Sequence, residues 1–483
     1  MLFYPHTSGD EPGVWLCNNI SFFNNYPTSV GMNLKKGFWI IMYNQIFLNN
    51  NGNDSIEPEI RAAAVTLHSR LRECKIEEAD KPIFAGTVLV ALNDKELENL
   101  DILNFHDTNQ LIYRIMISFF REIRKYSSGQ YGDAIWTQFM RAATKIGNEL
   151  PKIVSDLANV HRKFDCVHSI NTMEIFFHEF LSGSSAKKLS GIVLTPTHIA
   201  DFMAHAIEID RNSHVLDICC GTGAFFVAAT ECVSKDTENN ADFCGCEVDS
   251  TMQKMAVLTT TLNACGSDIK ILGDCFDENT VKILQKGVYN KGLINPPFAH
   301  KNHNEFDFML HELSFLEKHG ELAVLCPVGC AIGVKFHTER YEIMKHHTLK
   351  AVFSMPPSLF AGNGAQINTC VMVWEAKVPH DPSKKTFFGF FQEDGLRRCG
   401  KKGRGDLDGK WHKIEQEWLH LYFNQIEKQG VSLCRSVSYE DEWLYEAYAG
   451  SSNLNLSKQD FERTLLDYLQ YCLSTYGALN IGG

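Results

Sequence analysis

Several features that would place a chain in a specialised class are missing from this sequence of 483 residues. No apolar run approaches the ~20 residues that span a bilayer, and the longest near the N-terminus, Phe38 to Tyr43, falls far short. No basic n-region precedes an apolar h-region of signal-peptide type, so a cytoplasmic protein without a signal peptide is expected. The sixteen cysteines include no C-x-x-C pair. Neither Cys244 with Cys246 nor Cys326 with Cys330 has a second pair or flanking histidines beside it. Reduced, mostly buried thiols are expected in place of a disulfide scaffold, and no metal. Positive charge is short as well: 46 Lys and Arg against 58 Asp and Glu leave a net charge of -12. Non-specific DNA affinity comes mainly from cations neutralising phosphates, so this chain is not built to coat nucleic acid unaided.

What remains is an ordinary globular composition, with 44% hydrophobic, 22% charged and 11% aromatic residues. That excludes collagen-like, low-complexity and broadly disordered chains. At about 100 to 200 residues per domain, about two to four domains are expected. Residues 1–55 carry ten asparagines and repeated turn residues, and read as an irregular or poorly ordered extension. From Glu57, apolar residues at helical spacing (Ile60, Ala63, Ala64, Leu67, Leu71) open a helical N-terminal domain over 56–185. Further helices are predicted at Ile83 to Leu92 after Asp80-Lys81-Pro82, Leu111 to Phe120, Trp136 to Ile146, Ile153 to Val160 and Met173 to Leu181. Ser182-Gly183-Ser184-Ser185 reads as a linker.

Residues 186–376 alternate short apolar strands with helices, which implies βαβ crossovers and a mainly parallel sheet. Strands are predicted at His214 to Cys219, Phe243 to Glu247, Ile269 to Gly273, Gly292 to Asn295, Glu321 to Pro327 and Leu349 to Ser354. A last strand, Asn368 to Glu375, follows too short a connection for a crossover and is expected to return antiparallel. The expected core is α/β: a seven-stranded, mainly parallel, Rossmann-like sheet with one reversed strand. Residues 377–483 read as a basic loop followed by a helical C-terminal region including Phe461 to Tyr471. In that loop Arg397, Arg398, Lys401, Lys402, Arg404, Lys410 and Lys413 stand among glycines, opposed by Asp406 and Asp408. It reads either as a local DNA contact or as a solvated face.

The sharpest chemical signal is Val215-Leu216-Asp217-Ile218-Cys219-Cys220-Gly221-Thr222-Gly223-Ala224-Phe225-Phe226, a strand entering a glycine turn and then a helix. Glycines permit close backbone approach to a ligand, and open N–H groups at a helix start favour an anionic group. The dinucleotide spacing G-x-G-x-x-G is broken by Phe226, while Asp217 ahead of the turn could hold an ammonium group. Glu247 closes the second strand as an acid that could accept both ribose hydroxyls, and Asp274 follows the third where it could accept from an adenine amino group; taken singly, each also reads as a loop or helix-cap residue. Three acids at the carboxyl ends of three successive strands line the rim where open α/β sheets bind ligands. Together they suit an adenosine bearing an amino-acid tail.

The fourth strand runs into Asn295-Pro296-Pro297-Phe298. An exocyclic adenine amine is a weak nucleophile because its lone pair is delocalised into the ring. Acceptors from the Asn295 side chain and the Pro296 carbonyl could draw it toward tetrahedral geometry, and proline keeps its C=O while lacking N–H. Pro297 stiffens the turn, and Phe298 offers a face for a base taken out of the duplex. Met355-Pro356-Pro357 has a thioether in the Asn position and is read as structural.

The order of Leu194-Thr195-Pro196-Thr197-His198-Ile199-Ala200, Asp217 to Phe225, Gly273-Asp274 and Asn295-Pro296-Pro297-Phe298 resembles that of N6-adenine DNA methyltransferases of the gamma arrangement. More narrowly, the chain resembles the modification (M) subunit of type I restriction-modification systems. Ser358-Leu359-Phe360 to Thr369 and Phe390-Phe391-Gln392-Glu393-Asp394-Gly395-Leu396 share in the likeness, which covers about residues 56 to 415. The resemblance implies methyl transfer from S-adenosylmethionine to the N6 amine of a flipped adenine in double-stranded DNA. It implies Thr195 and Pro196 by the methionine end of the cofactor, Asp217, Gly221 and Gly223 beneath it, Glu247 at the ribose, Asp274 at the adenine, and Asn295, Pro296, Pro297 and Phe298 as the catalytic turn. It also implies a separate specificity subunit, a restriction subunit, and a second copy of this chain as partners. The family commonly has proline at position 218 and glycine at 224, where this chain has Ile218 and Ala224. The stretch Arg61 to Leu92 also looks like the middle of longer fused restriction-modification polypeptides, so the chain could be the methylase part of a split or shortened version of such an enzyme. Two other readings suit parts of the pattern. One is a protein-glutamine methyltransferase, against which the long helical domain and the Thr195-Pro196 segment weigh. The other is a non-catalytic assembly subunit, against which the intact Asn295 turn weighs.

Overall fold

The computed structural model describes residues 57–449 and Leu466, apart from 106, 128–130, 165–171, 182–193, 234–240, 266–268, 299, 358, 361–366 and 399–403. The N-terminal extension, the serine-rich linker and the helix expected at Phe461 to Tyr471 lie outside the described residues, Leu466 excepted. Among the described residues, no helix is long and apolar enough to cross a membrane.

The helical region comprises α1 (Glu57–Glu73), α2 (Asp80–Leu92), α3 (Thr108–Tyr126), α4 (Gly132–Ile146), α5 (Leu150–Phe164) and α6 (Thr172–Leu181). Each contains a helix expected from the apolar spacing. α2 is apolar nearly all round, and every one of its residues is buried, so it forms the centre of the bundle. Its two charged residues are compensated. Asp80 accepts from Arg141 Nε at 2.9 Å and from Gln138 Nε2 at 2.9 Å, and Lys81 donates to Glu78 at 2.7 Å.

The sheet has the order β11-β8-β6-β7-β5-β4-β1-β2-β3. Its strands are β1 (His214–Asp217), β2 (Asp242–Cys246), β3 (Ile269–Leu272), β4 (Tyr289–Ile294), β5 (Leu316–Pro327), β6 (Thr348–Ser354), β7 (Thr369–Glu375), β8 (Lys385–Phe390) and β11 (Ser432–Ser436). A separate two-stranded ribbon pairs β9 (Arg397–Arg398) with β10 (Arg404–Gly405). β7 runs antiparallel to both β5 and β6, with Val324 opposite Met372, as its short connection required. The strand count corrects the expectation of seven. β8 adds parallel to β6, and β11 adds antiparallel to β8, extending the sheet to nine. β8 is hard to read in sequence because Gly389 interrupts it, and glycine weakens a strand pattern. A Cβ there would lie 2.8 Å from Phe391 and 3.0 Å from Phe353, so the packing demands glycine.

Helices cover both faces. α7 (Thr197–Ala206) precedes β1, the crossover helices are α8 (Ala224–Glu231), α9 (Ser250–Leu262), α10 (Glu278–Leu284), α11 (Glu305–Phe315) and α12 (His337–His346), and α13 (Trp411–Phe423) follows the ribbon. The bundle docks on α9 and on the β3 edge. Asn93 Nδ2 donates to Leu262 O at 3.2 Å, Lys254 donates to Gln138 Oε1 at 2.7 Å, and Ser127 bridges to Ile269. Gly86 is where α2 comes closest: a Cβ there would sit 2.7 Å from Met173 Cε and 2.9 Å from Leu258 Cδ1. Gly86→Val should therefore cost roughly 1 to 3 kcal/mol through overpacking. Denaturant unfolding will measure it, and an unchanged midpoint would mean that the bundle does not bear on α9 at this point.

Candidate active site

β1 is short and almost wholly buried, as expected for a central parallel strand, and it delivers Asp217 to the carboxyl rim. Asp217 is fully buried. Its Oδ1 accepts from Cys219 N at 2.9 Å, while Oδ2 has no partner among the described residues. Burial, with the charge of Glu247 adding to it, pushes this carboxyl well above the ordinary carboxylate range. The turn that follows needs its glycines, since Gly221 and Gly223 have φ of 53° and 86°. A Cβ on Gly221 would meet nothing within 4 Å, so this backbone faces open space.

Glu247, just past β2, ties that turn to the second strand. Its Oε2 accepts from Gly221 N at 3.1 Å and its Oε1 from Asp249 N at 2.8 Å. Its own N–H donates to Leu272 O at the end of β3. Val248 beside it is 72% exposed, an apolar surface on the rim that the motif reading did not single out. Asp274 stands one strand further along and is exposed, with Oδ1 accepting from Phe276 N at 2.9 Å. The structure thus brings Asp217, Gly221 and Glu247 together and leaves Asp274 at the flank.

Asn295 follows β4, which pairs with β1 so that Leu216 is level with Gly292. Its Nδ2 donates to Thr195 Oγ1 at 3.0 Å, and its Oδ1 is buried without a partner among the described residues. Pro296 is buried and Pro297 exposed. Phe298 is half-buried and meets Phe360 edge-on, with centroids 6.1 Å apart. Pro196 is half-buried and precedes α7, its carbonyl accepting from Ile199 and Ala200. The Met355 pair serves structure, as Met355 O accepts from Gln392 at 2.9 Å.

Two features escaped the sequence reading. Glu312 is fully buried on α11, accepts from Ile218 N at 3.3 Å, and has Oε1 unpartnered among the described residues. Burial and the neighbouring Asp217 push it well above the ordinary range. A Cβ on Gly292 would lie 2.7 Å from Glu312 Oε1, which accounts for glycine in β4. A signal existed: Glu312 falls three and four residues after Met309 and Phe308, on the apolar face of its helix. The second feature is an aromatic stack beside Asp274. Phe276 lies between His303 at 3.9 Å and His311 at 4.5 Å, centroid to centroid. No spacing rule announces it.

The basic loop is partly consumed internally. Arg404 donates to both oxygens of Asp394, at 2.8 and 2.5 Å. Arg397 pairs with Asp408 at 2.6 Å and Lys410 with the same carboxylate at 3.0 Å. Lys401 and Lys402 lie outside the described residues. Among the described residues, no group of three or more His, Cys, Asp or Glu is placed to hold a metal ion.

The profile of the N-6 DNA Methylase family matches residues 171–441. Over 319 residues the chain is 28% identical to the type II restriction enzyme and methyltransferase RM.BcgI of Heyndrickxia coagulans, covering 61% of this chain and 48% of that protein. The chain therefore spans about half the length of the curated relative it matches. Among solved structures, the methyltransferase subunit of a type I restriction-modification system from Streptococcus thermophilus has a TM-score of 0.53 at 15% identity, over 80% of this chain and 96% of that one. A chain of a type I R-M system, from a study of complex assembly and conformational transition, has a TM-score of 0.53 at 16% identity, over 87% and 96%. At these identities the likeness is one of fold.

The buried carboxyls generate a pH prediction. Glu312 has its folded pKa above its unfolded value, so its contribution to stability is fully present below the unfolded value and is lost as pH rises through the folded one. Glu312→Gln keeps an acceptor for Ile218 N and cannot ionise. Its melting temperature should therefore gain on the wild type as pH rises from about 5. Thermal melts across that range are the check, and a difference that stays constant with pH would show that Glu312 does not titrate there.

Proposed function

The chain belongs to the N-6 DNA methylase family, and from that premise we propose that it transfers a methyl group from S-adenosylmethionine to the N6 amine of a flipped adenine in DNA. The observation that carries this reading is the state of Asn295: its nitrogen is engaged by Thr195 while its oxygen is buried and unpartnered. A buried acceptor without a donor is costly, and an incoming amine would satisfy it. The Pro296 carbonyl supplies a second acceptor, and together they draw the amine toward the geometry in which its lone pair can attack. The half-buried Phe298 offers its ring for a flipped base to stack on, offsetting part of the cost of unstacking.

The residues present fit the cofactor. When bound, S-adenosylmethionine supplies an electrophilic methyl group on a sulfonium. Asp217 Oδ2 is a buried oxygen without a donor, suited to an ammonium, and the open backbone at Gly221 admits a close approach. Glu247 retains lone pairs for ribose hydroxyls, Val248 offers an apolar surface for a ring, and the exposed Asp274 is proposed as the acceptor for the adenine amino group. Gly223 sets the entry to α8, and Thr195 and Pro196 border the site.

Recognition is proposed to come from elsewhere. Base-edge readout needs a dedicated module, and the net charge of -12 gives little long-range pull on phosphates. The partners proposed are double-stranded DNA, a separate specificity subunit, a restriction subunit and a second copy of this chain.

Asn295→Ala should keep cofactor affinity and lose on the order of 10² to 10³ in methyl transfer. Glu247→Ala should do the reverse first, weakening cofactor binding by roughly 1 to 3 kcal/mol. Calorimetric titration and tritiated methyl transfer separate the two, and near-normal turnover by Asn295→Ala would refute its role. In a second test, the purified chain should bind cofactor yet methylate a defined DNA site only when a specificity subunit is added. Robust site-specific methylation by the lone chain would exclude that dependence.

A further inference from the structure

Only one end of the Asn295 carboxamide can serve the reaction proposed above, on which this inference rests. Its oxygen is the acceptor for the target amine. Its nitrogen donates to Thr195 Oγ1 at 3.0 Å. A turn of the amide through 180° would bury two N–H donors where one oxygen now sits, and would face a donor with donors. In the observed rotation the Thr195 hydroxyl accepts from that nitrogen, which anchors the carboxamide and leaves its oxygen for the amine.

Thr195 is itself held. It is buried, and three residues later, in the first turn of α7, His198 Nε2 lies 3.2 Å from Asp394 Oδ2. The His198 ring also meets Trp411 edge-on at 4.8 Å. Asp394 is 1% exposed, accepts from Leu396 N at 3.0 Å, and receives both ends of the Arg404 guanidinium. Although burial raises its pKa, His198 and Arg404 hold it below the usual carboxylate range. A locked, ion-paired carboxylate from the segment after β8 thus pins the start of α7, the helix that follows Thr195.

We propose that Thr195 is a positioning residue that holds Asn295 with its oxygen toward the target amine, and that Asp394, acting through His198, sets the place of Thr195. Thr195→Val keeps the shape and removes the acceptor. Thr195→Ser keeps the acceptor. Asp394→Asn keeps a polar contact to His198 and removes the charge that Arg404 holds. Misplacing a reacting group by as little as about 1 Å can cost on the order of 10²-fold in rate.

The test uses the full chain, copurified with its partners, with tritiated S-adenosylmethionine and genomic DNA from cells lacking the gene. Thr195→Val should lower kcat by about tenfold to a hundredfold, with cofactor Kd and KM for DNA within about twofold of the wild type. Thr195→Ser should restore most of the rate, and Asp394→Asn should show a smaller fall in kcat. Placed on Asn295→Ala, neither Thr195→Val nor Asp394→Asn should lower the residual rate further, because both act through Asn295. An unchanged kcat, a loss confined to cofactor affinity, or losses that add to that of Asn295→Ala would each overturn the proposal. If Thr195→Val is unstable, the Thr195→Ser rate and the Asp394→Asn cycle decide the matter alone. A wild type that transfers nothing to DNA would overturn the functional reading itself. An active wild type with an equally active Thr195→Val overturns only this inference.

Discussion

Seven parallel strands that all end on one rim deliver their loops to the same place, and β1 ends there in a carboxyl group that the protein buries completely. Asp217 Oδ2 accepts from nothing among the described residues, a state that costs free energy unless a ligand satisfies it. The neighbours make the cost larger. Glu312 lies beneath, and the thiols of Cys219 and Cys220 are pushed well above their ordinary range by burial and by the Asp217 charge. The rest of the fold offsets this locally unfavourable arrangement through ordinary means: a bundle wrapped around the wholly buried α2, and an aromatic and aliphatic core on both faces of the sheet.

The same constraint explains residues that otherwise look incidental. Gly292 is glycine because Glu312 Oε1 fills the space its side chain would take. Gly245 is glycine because Cys220 and Phe226 approach within 3.0 Å of where a Cβ would stand. Helix α11 starts sharply through a reciprocal cap, Asn304 accepting from Phe306 and Asp307 and Asp307 accepting from Asn304. That cap fixes the phase of the helix which aims Glu312 inward.

What the sequence disclosed follows from what is local in it. Apolar runs ending in an acid or in Asn-Pro-Pro mark strand ends, so β1 to β7 were legible to within a few residues, and so were Asp217, Glu247, Asp274 and Asn295 as rim positions. Pairings that close over long loops leave no local mark. Glu312 reaches Ile218 across 94 residues, and Arg404 spends its charge on Asp394, where its own neighbourhood suggested a free cation. β8 and β11 were missed because one carries a glycine and the other is five residues of weak pattern.

These long closures also bear on how the site comes into being. Thr195 meets Asn295 across 100 residues, His198 meets Asp394 across 196, and His205 meets Glu415 across 210. Contacts of such separation carry a larger loop-closure entropy cost, the kind of topology that slows folding. Thr195 stands just ahead of α7, which receives the other two contacts, and the Phe202 ring of α7 packs edge-on against Phe353, Phe391 and Trp418. The segment between β8 and β11 is thus part of the structure that aligns Asn295, which the acids of the rim cannot align by themselves. An Asn-Pro-Pro-Phe turn on a complete sheet would have its chemistry present and its orientation unset without the contacts that Asp394 and Glu415 make with the helix that follows Thr195.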